Sequence, residues 1–185
     1  DIETGSAVID TKNTAGFGAG AIIAILTQQH EGVQRQSLFV STDGGYRFKA
    51  YDGNPVMDNP GVHDWRDPKI LWDDKHNEWL MALAEGNKIG FYTSSDLKHW
   101  TYRSGFERND LGLLECPDLF RMSIDGDPAH TRWVLATGAN GERPLEAGHA
   151  DRPFQGQVAD LVKRLPATEP RDVLLDERGG VGGDA

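Results

Sequence analysis

The 185-residue sequence has a single cysteine, Cys116, so no disulfide can form within the chain and stability has to come from burial and hydrogen bonding. It also has no block of Lys or Arg, since 19 basic residues are scattered against 29 acidic ones for a net charge of −10. Without a basic patch there is nothing to follow a phosphate backbone or an anionic lipid surface, and neither nucleic acid nor a membrane is expected as partner. The longest apolar run, Ala19 to Leu26, falls well short of the ~20 residues of a bilayer-spanning helix, and nothing has the build of a secretory leader. The six histidines lack zinc-ligand spacing. Asp125-Gly126-Asp127 lacks the ligand run of a calcium loop and reads as a turn. No metal and no cofactor is expected. The chain opens at Asp1 without methionine, inside a strand-like run, so a processed or truncated start is expected.

What is abundant is turn-forming residues, with 22 Gly and 9 Pro, and short runs rich in Val, Ile, Leu and Trp between them. That alternation predicts an all-β chain. Four strands are expected at Ser6–Asp10, Ala21–Thr27, Gln36–Ser41 and Arg47–Tyr51, and four more at Pro68–Trp72, Glu78–Ala84, Lys88–Ser94 and Trp100–Arg103. A third round starts with Asp118–Ser123 and Arg132–Thr137. Landmarks recur: Arg66-Asp67-Pro68 and Glu115-Cys116-Pro117 each open an apolar strand, and Ser41-Thr42-Asp43 and Ser94-Ser95-Asp96 each close one. A period near 50 residues with four antiparallel strands per unit is the plan of a β-propeller, of which two to three blades are visible; a β-sandwich is the alternative the pattern leaves open.

From Gly141 the texture changes. Phe154 is the sole aromatic after it, Ser, Asn, Ile, Tyr and Trp disappear, and only Val158, Leu161, Val162 and Leu165 show order, at the spacing of one short helix. We therefore divide the chain into a partial propeller over 1–140 and an atypical tail over 141–185, irregular apart from that helix. Disorder, a shifted reading frame or a misassembled gene end would each give this texture.

Two carboxylates stand out. Asp67 is held extended by Pro68 and kept ionised by Arg66, although as plain structure the tripeptide is a strand-entry turn with a local ion pair. Glu115 follows Leu111, Leu113 and Leu114, a setting expected to desolvate it and raise its pKa towards that of a general acid; the plain alternative is a loop glutamate paired with an arginine. On the innermost strands of neighbouring blades both would face one axial funnel, and a pair of carboxyl groups across a sugar ring is the equipment of a glycosidase. Cys116 reads as a small buried packing residue. The tryptophans read mostly as core, with Trp65 the one expected to offer a sugar-stacking platform.

Thr4-Gly5-Ser6-Ala7-Val8-Ile9-Asp10, Asn54-Pro55-Val56, Trp65-Arg66-Asp67-Pro68-Lys69, Phe91 through Trp100, and Glu115-Cys116-Pro117-Asp118-Leu119-Phe120 resemble, in order, the blocks of glycoside hydrolase family 32, the levanases, inulinases and invertases. The resemblance covers about residues 1 to 140. It implies a five-bladed β-propeller that hydrolyses β-fructofuranosyl linkages of a fructan, a fructo-oligosaccharide or sucrose with retention, in an extracellular setting. Carried over residue by residue, it implies that Asp67 is the transition-state stabiliser, Glu115 the general acid/base, and Arg66 and Thr4 contacts to the sugar. The family nucleophile, an Asp in a Trp-Met-Asn-Asp-Pro-Asn-Gly-like block, has no match in the sequence, which predicts little or no activity for the chain alone. An arabinan-cleaving propeller glycosidase and a non-catalytic fructoside-binding module are the competing readings.

Overall fold

Hairpin chemistry organises the chain. Two-residue turns with both residues at positive φ, Glu31-Gly32 and Asp125-Gly126, match the right-handed twist of paired strands and return the backbone directly onto itself. The computed structural model describes residues 1–141. Strands β1 (Ile2–Asp10), β2 (Ala21–His30), β3 (Val33–Ser41) and β4 (Lys49–Ala50) pair in that order as one antiparallel sheet. Strands β5 (Trp65–Asp73), β6 (Glu78–Glu85), β7 (Lys88–Ser94) and β8 (Thr101–Glu107) form a second sheet on the same plan, and β9 (Leu114–Ile124) pairs with β10 (Asp127–Ala139) in a third.

The sheets pack in series, with β5 lying between β1 and β9, rather than as two opposed layers. The chain is thus an all-β partial propeller with two complete blades and two strands of a third, and the sandwich alternative is set aside. All ten expected strands are present. The fourth is shorter than expected, because beyond Ala50 the Asn54 side chain takes over the pairing: Leu38 N–H donates to Asn54 Oδ1 (2.7 Å) and Asn54 Nδ2 donates to the Leu38 carbonyl (2.8 Å). The expected helix around Val158–Leu165, and the tail that holds it, lie outside the described residues.

Blade 2 is apolar on both faces. Along β6, Trp79, Met81 and Leu83 enter the core shared with Ile23, Ile25 and Leu38 of blade 1. Leu80, Ala82 and Ala84 enter the core shared with Leu114, Leu119, Trp133 and Leu135 of blade 3. A strand buried on both sides reads as a continuous apolar run, which is why Trp79–Ala84 carries no polar residue. Gly90 is required by close approach, since a Cβ there would lie 2.1 Å from Glu85 Oε1, and that buried carboxylate is held by the Tyr92 hydroxyl and by Lys88 Nζ, each at 2.5 Å.

The Ser-x-Asp landmarks are turns. Ser41 and Ser94 hydroxyls donate to Asp43 and Asp96, whose carboxylates in turn accept the backbone N–H of Arg47 and of Lys98 and His99. These bonds fix the exit of β3 and β7 towards the fourth strand of each blade, while at the opposite edge the innermost strands β1, β5 and β9 lie side by side.

Candidate active site

Three innermost strands converge on one carboxylate. Asp67, on β5 just before Pro68, and Cys116, on β9 just before Pro117, both adopt left-handed backbone, at φ +63° and +47°. For non-glycine residues this region is costly, and here it coincides with register slips between Arg66 and Lys69 of β5 and between Ala136 and Gly138 of β10 opposite Glu115. Such bulges re-aim the side chains beside them. Asp67, only 7% exposed, accepts a short hydrogen bond from the Thr4 hydroxyl of β1 on Oδ1 and the Cys116 N–H of β9 on Oδ2 (2.9 Å). Thr4 and Asp67 each stand six residues before the end of their strand, and Cys116 precedes Pro117 as Asp67 precedes Pro68, so both donors come from positions that match Asp67 on the flanking blades.

Gly5 and Ser6 seat Thr4. A Cβ on Gly5 would lie 2.2 Å from the Ile25 carbonyl oxygen, so only glycine lets β1 lie against β2 at this point. The Ser6 hydroxyl donates to the Pro68 carbonyl and accepts the Ile70 N–H, both at 2.8 Å, stitching β1 to β5 immediately after Asp67.

Arg66 joins the second carboxylate. Its Nη2 donates to Glu115 Oε1 (2.8 Å), and its Nη1 makes a short ion pair with Asp64. Burial opposes the guanidinium charge, but the bonds to Glu115 and Asp64 outweigh it and hold Arg66 above its ordinary range; the same Arg66 bond holds the Asp64 carboxyl below the usual carboxylate range. One turn of pleat along, Lys69 Nζ pairs with Asp118 at 2.8 Å.

Thr4, Arg66, Asp67 and Glu115 are therefore brought together, and four expectations need correction. Asp67 is left-handed rather than extended before Pro68, because the strand slips there, and Arg66 spends its bonds on Asp64 and Glu115 rather than on Asp67. Trp65 is 2% exposed and packs in the core between blades 1 and 2, so it presents no face to a sugar; neighbouring residues of a strand point to opposite sides, and with Arg66 aimed at the axis Trp65 cannot be. Glu115 is not enclosed by the leucines before it: Leu114 turns into the core while the Glu115 side chain stays 42% exposed beside Arg66. Cys116 is exposed rather than packed, because the bulge turns it out of the strand's alternation. Partial enclosure of its sulfur, and the Asp67 carboxylate 3.6 Å away, push the thiol pKa up, away from a reactive thiolate.

Asp64 was not among the sequence candidates, although a carboxylate two residues before an arginine at the entry to a strand is a signal that can be read. The metal-free expectation concerns the whole chain; among the described residues no cluster of three or more His, Cys, Asp or Glu side chains could hold an ion.

Comparison with known proteins gives this geometry a family. Residues 2–169 match the family described as "Glycosyl hydrolases family 32 N-terminal domain". A levanbiose-producing levanase of Geobacillus stearothermophilus is 54% identical over 145 residues, 77% of this chain and 36% of that protein. A levanase of Bacillus subtilis (strain 168) is 44% identical over 184 residues, 96% of this chain and 27% of that protein. Among solved structures, the fructofuranosidase of Schwanniomyces occidentalis complexed with fructose superposes with a TM-score of 0.71 at 34% identity, over 78% of this chain and 30% of that one. The chain thus spans about a third of the length of the relatives it matches. With the match covering most of its length, the chain belongs to glycosyl hydrolases family 32, through that family's N-terminal domain.

Proposed function

We propose that this chain supplies two of the three carboxylates of a β-fructofuranosidase acting on fructans, fructo-oligosaccharides or sucrose with retention of configuration. The observation that carries the reading is that Asp67 and Glu115 stand side by side on adjacent innermost strands, Glu115 at the place of Arg66 in the repeat, linked by the bonds from Arg66 to Glu115 and from the Cys116 amide to Asp67. The activities after which the relatives are named, levanase and fructofuranosidase, support the substrate class.

In this reading residues 1–140 are part of the catalytic domain's propeller, and the closed ring has five blades. Glu115 is the acid/base: half-exposed and facing the axis, it gives its proton to the leaving oxygen and later takes one from water. Asp67 is the stabiliser. Clamped between two donors, it is a fixed anion against which an oxocarbenium-like transition state gains without reorganisation. Arg66 and Thr4, already bonded to these carboxylates, meet the fructosyl hydroxyls. Retention needs a nucleophile, and no Trp-Met-Asn-Asp-Pro-Asn-Gly-like block occurs in the sequence.

The chain on its own is accordingly expected to release little or no fructose from sucrose, levan or inulin, and robust release would overturn that division of labour. In a full-length enzyme carrying this chain, Glu115→Gln lowers kcat by roughly 10² to 10⁴ with affinity spared; an unchanged kcat removes Glu115 from the mechanism. A fructoside-binding module is the competing reading of the same residues. Calorimetry with fructo-oligosaccharides, and with arabinan as control, separates them: binding by the chain together with no turnover in the full-length protein supports the module.

A further inference from the structure

We propose that Thr27 and Gln36 are positioning residues that hold the Asp67 peptide in its left-handed conformation and so aim its carboxylate, an inference that rests on the role proposed for Asp67. The two face each other across the β2–β3 ladder of blade 1, and both are 0% exposed. Thr27 Oγ1 accepts the Asp67 N–H (3.1 Å) and donates to Gln36 Oε1 (2.9 Å), and Gln36 Nε2 donates to the Trp65 carbonyl (2.8 Å). Gln34, on the same face, extends the row by accepting the Trp65 N–H (2.8 Å). The register of β5 slips against β6 just after Arg66, so the Asp67 N–H has no place in the ladder and Thr27 supplies its partner, while Gln36 and Gln34 fix the Trp65 backbone, still paired with Glu85, immediately before the slip.

Blade 2 supplies the control. Gln36 stands five residues before Ser41 and Ile89 five before Ser94, and the cross-strand partners of the two are Thr27 and Ala84. The corresponding pair in blade 2, Ala84 and Ile89, is apolar and packs against Leu114 of blade 3. Generic packing therefore needs no hydroxyl or amide at this place. The polar pair stands only where the facing strand carries Asp67. Two buried side chains with their bonding capacity directed at the backbone of Trp65 and Asp67 cost desolvation, and the return is a fixed geometry at the strained Asp67 peptide, which Gln36 supports through Thr27.

The test uses backbone amide hydrogen exchange of the chain by NMR, which needs no turnover. Thr27→Val removes the hydroxyl at constant shape, and Thr27→Ala installs the residue that blade 2 tolerates, covering the case in which valine does not fold. Either is expected to speed exchange of the Asp67 and Cys116 amides about tenfold or more, the loss of one hydrogen bond's local protection, while Met81 and Leu83 amides stay protected. Thr27→Ser restores both. A uniform rise in exchange, or no change at Asp67 and Cys116, overturns the proposal. In a full-length enzyme the same variants lower kcat and leave KM in place; if Asp67→Asn keeps full activity, the reading of Asp67 fails while the exchange result still decides the clamp.

Discussion

Strands β2 and β6 are about equally apolar, Ala-Ile-Ile-Ala-Ile-Leu over 21–26 against Trp-Leu-Met-Ala-Leu-Ala over 79–84, yet they are buried differently. Every residue of β6 from Trp79 to Glu85 is buried, whereas Ile22 and Leu26 of β2, on the side turned away from blade 2, stay partly exposed. The difference lies in the neighbours. Blade 2 is packed between two sheets and blade 1 against one, so the same hydrophobicity is converted into stability in one strand and only half converted in the other. Burial in a repeat protein is a property of the stack rather than of the repeat.

Truncating one leucine on each strand breaks this comparison most directly. Leu83→Ala, in the doubly packed strand, is expected to cost about 2–5 kcal/mol in urea unfolding, against about 1 kcal/mol for Leu26→Ala on the open side. Equal losses would mean that the outer side of blade 1 is as well packed as the core. Next comes the place four residues before the closing serine, glycine in blade 2 and serine in blade 1. Gly90→Ala drives a Cβ into the held Glu85 carboxylate and is expected to cost about 1–3 kcal/mol, while Ser37→Ala removes a single bond to Gln28 for about 1 kcal/mol or less.

The smallest effect concerns the two Ser-x-Asp turns and sharpens the comparison through pH. Burial alone would raise the Asp96 carboxyl, but bonds from His99, Lys98 and Ser94 outweigh it and bring it down to about 2, from 3.8. A folded value below the unfolded one stabilises the protein above about pH 4 and loses that contribution as pH falls from about 4 to 2. Asp96→Asn should flatten the acid limb of the unfolding curve by about 1 kcal/mol. Asp43 in blade 1 is also held low, chiefly by the Arg47 N–H, but lies in open solvent, so Asp43→Asn should change that limb less.

Much of this was legible in advance. The strands could be placed because turn residues recur at fixed intervals, and Asp67 and Glu115 could be paired because each lies within two residues of the proline that opens an apolar strand of the repeat. The orientation of Trp65 and Cys116 was not legible. Side chains alternate across a strand, and a bulge of one residue reverses the alternation, so their faces depend on a slip that leaves no mark in the residue types. Asp64 left a readable mark, two residues from Arg66. Thr27 and Gln36 left none, because what they bond is on another sheet forty and twenty-nine residues away.

The two ion pairs across the β5–β9 seam bear on the order in which units assemble. Arg66 meets Glu115 and Lys69 meets Asp118, and in each case the partners occupy the same place in successive repeats, 49 residues apart. A chain of similar sheets risks docking the wrong neighbour, or the same sheet of a second molecule, while it folds. Blade 2 meeting another blade 2 in this register would set Arg66 against Arg66 and Lys69 against Lys69, leaving four cations facing one another. Opposite signs at equivalent places therefore act as an address, favouring the sequence of blades that the gene specifies over one that the shapes alone would permit.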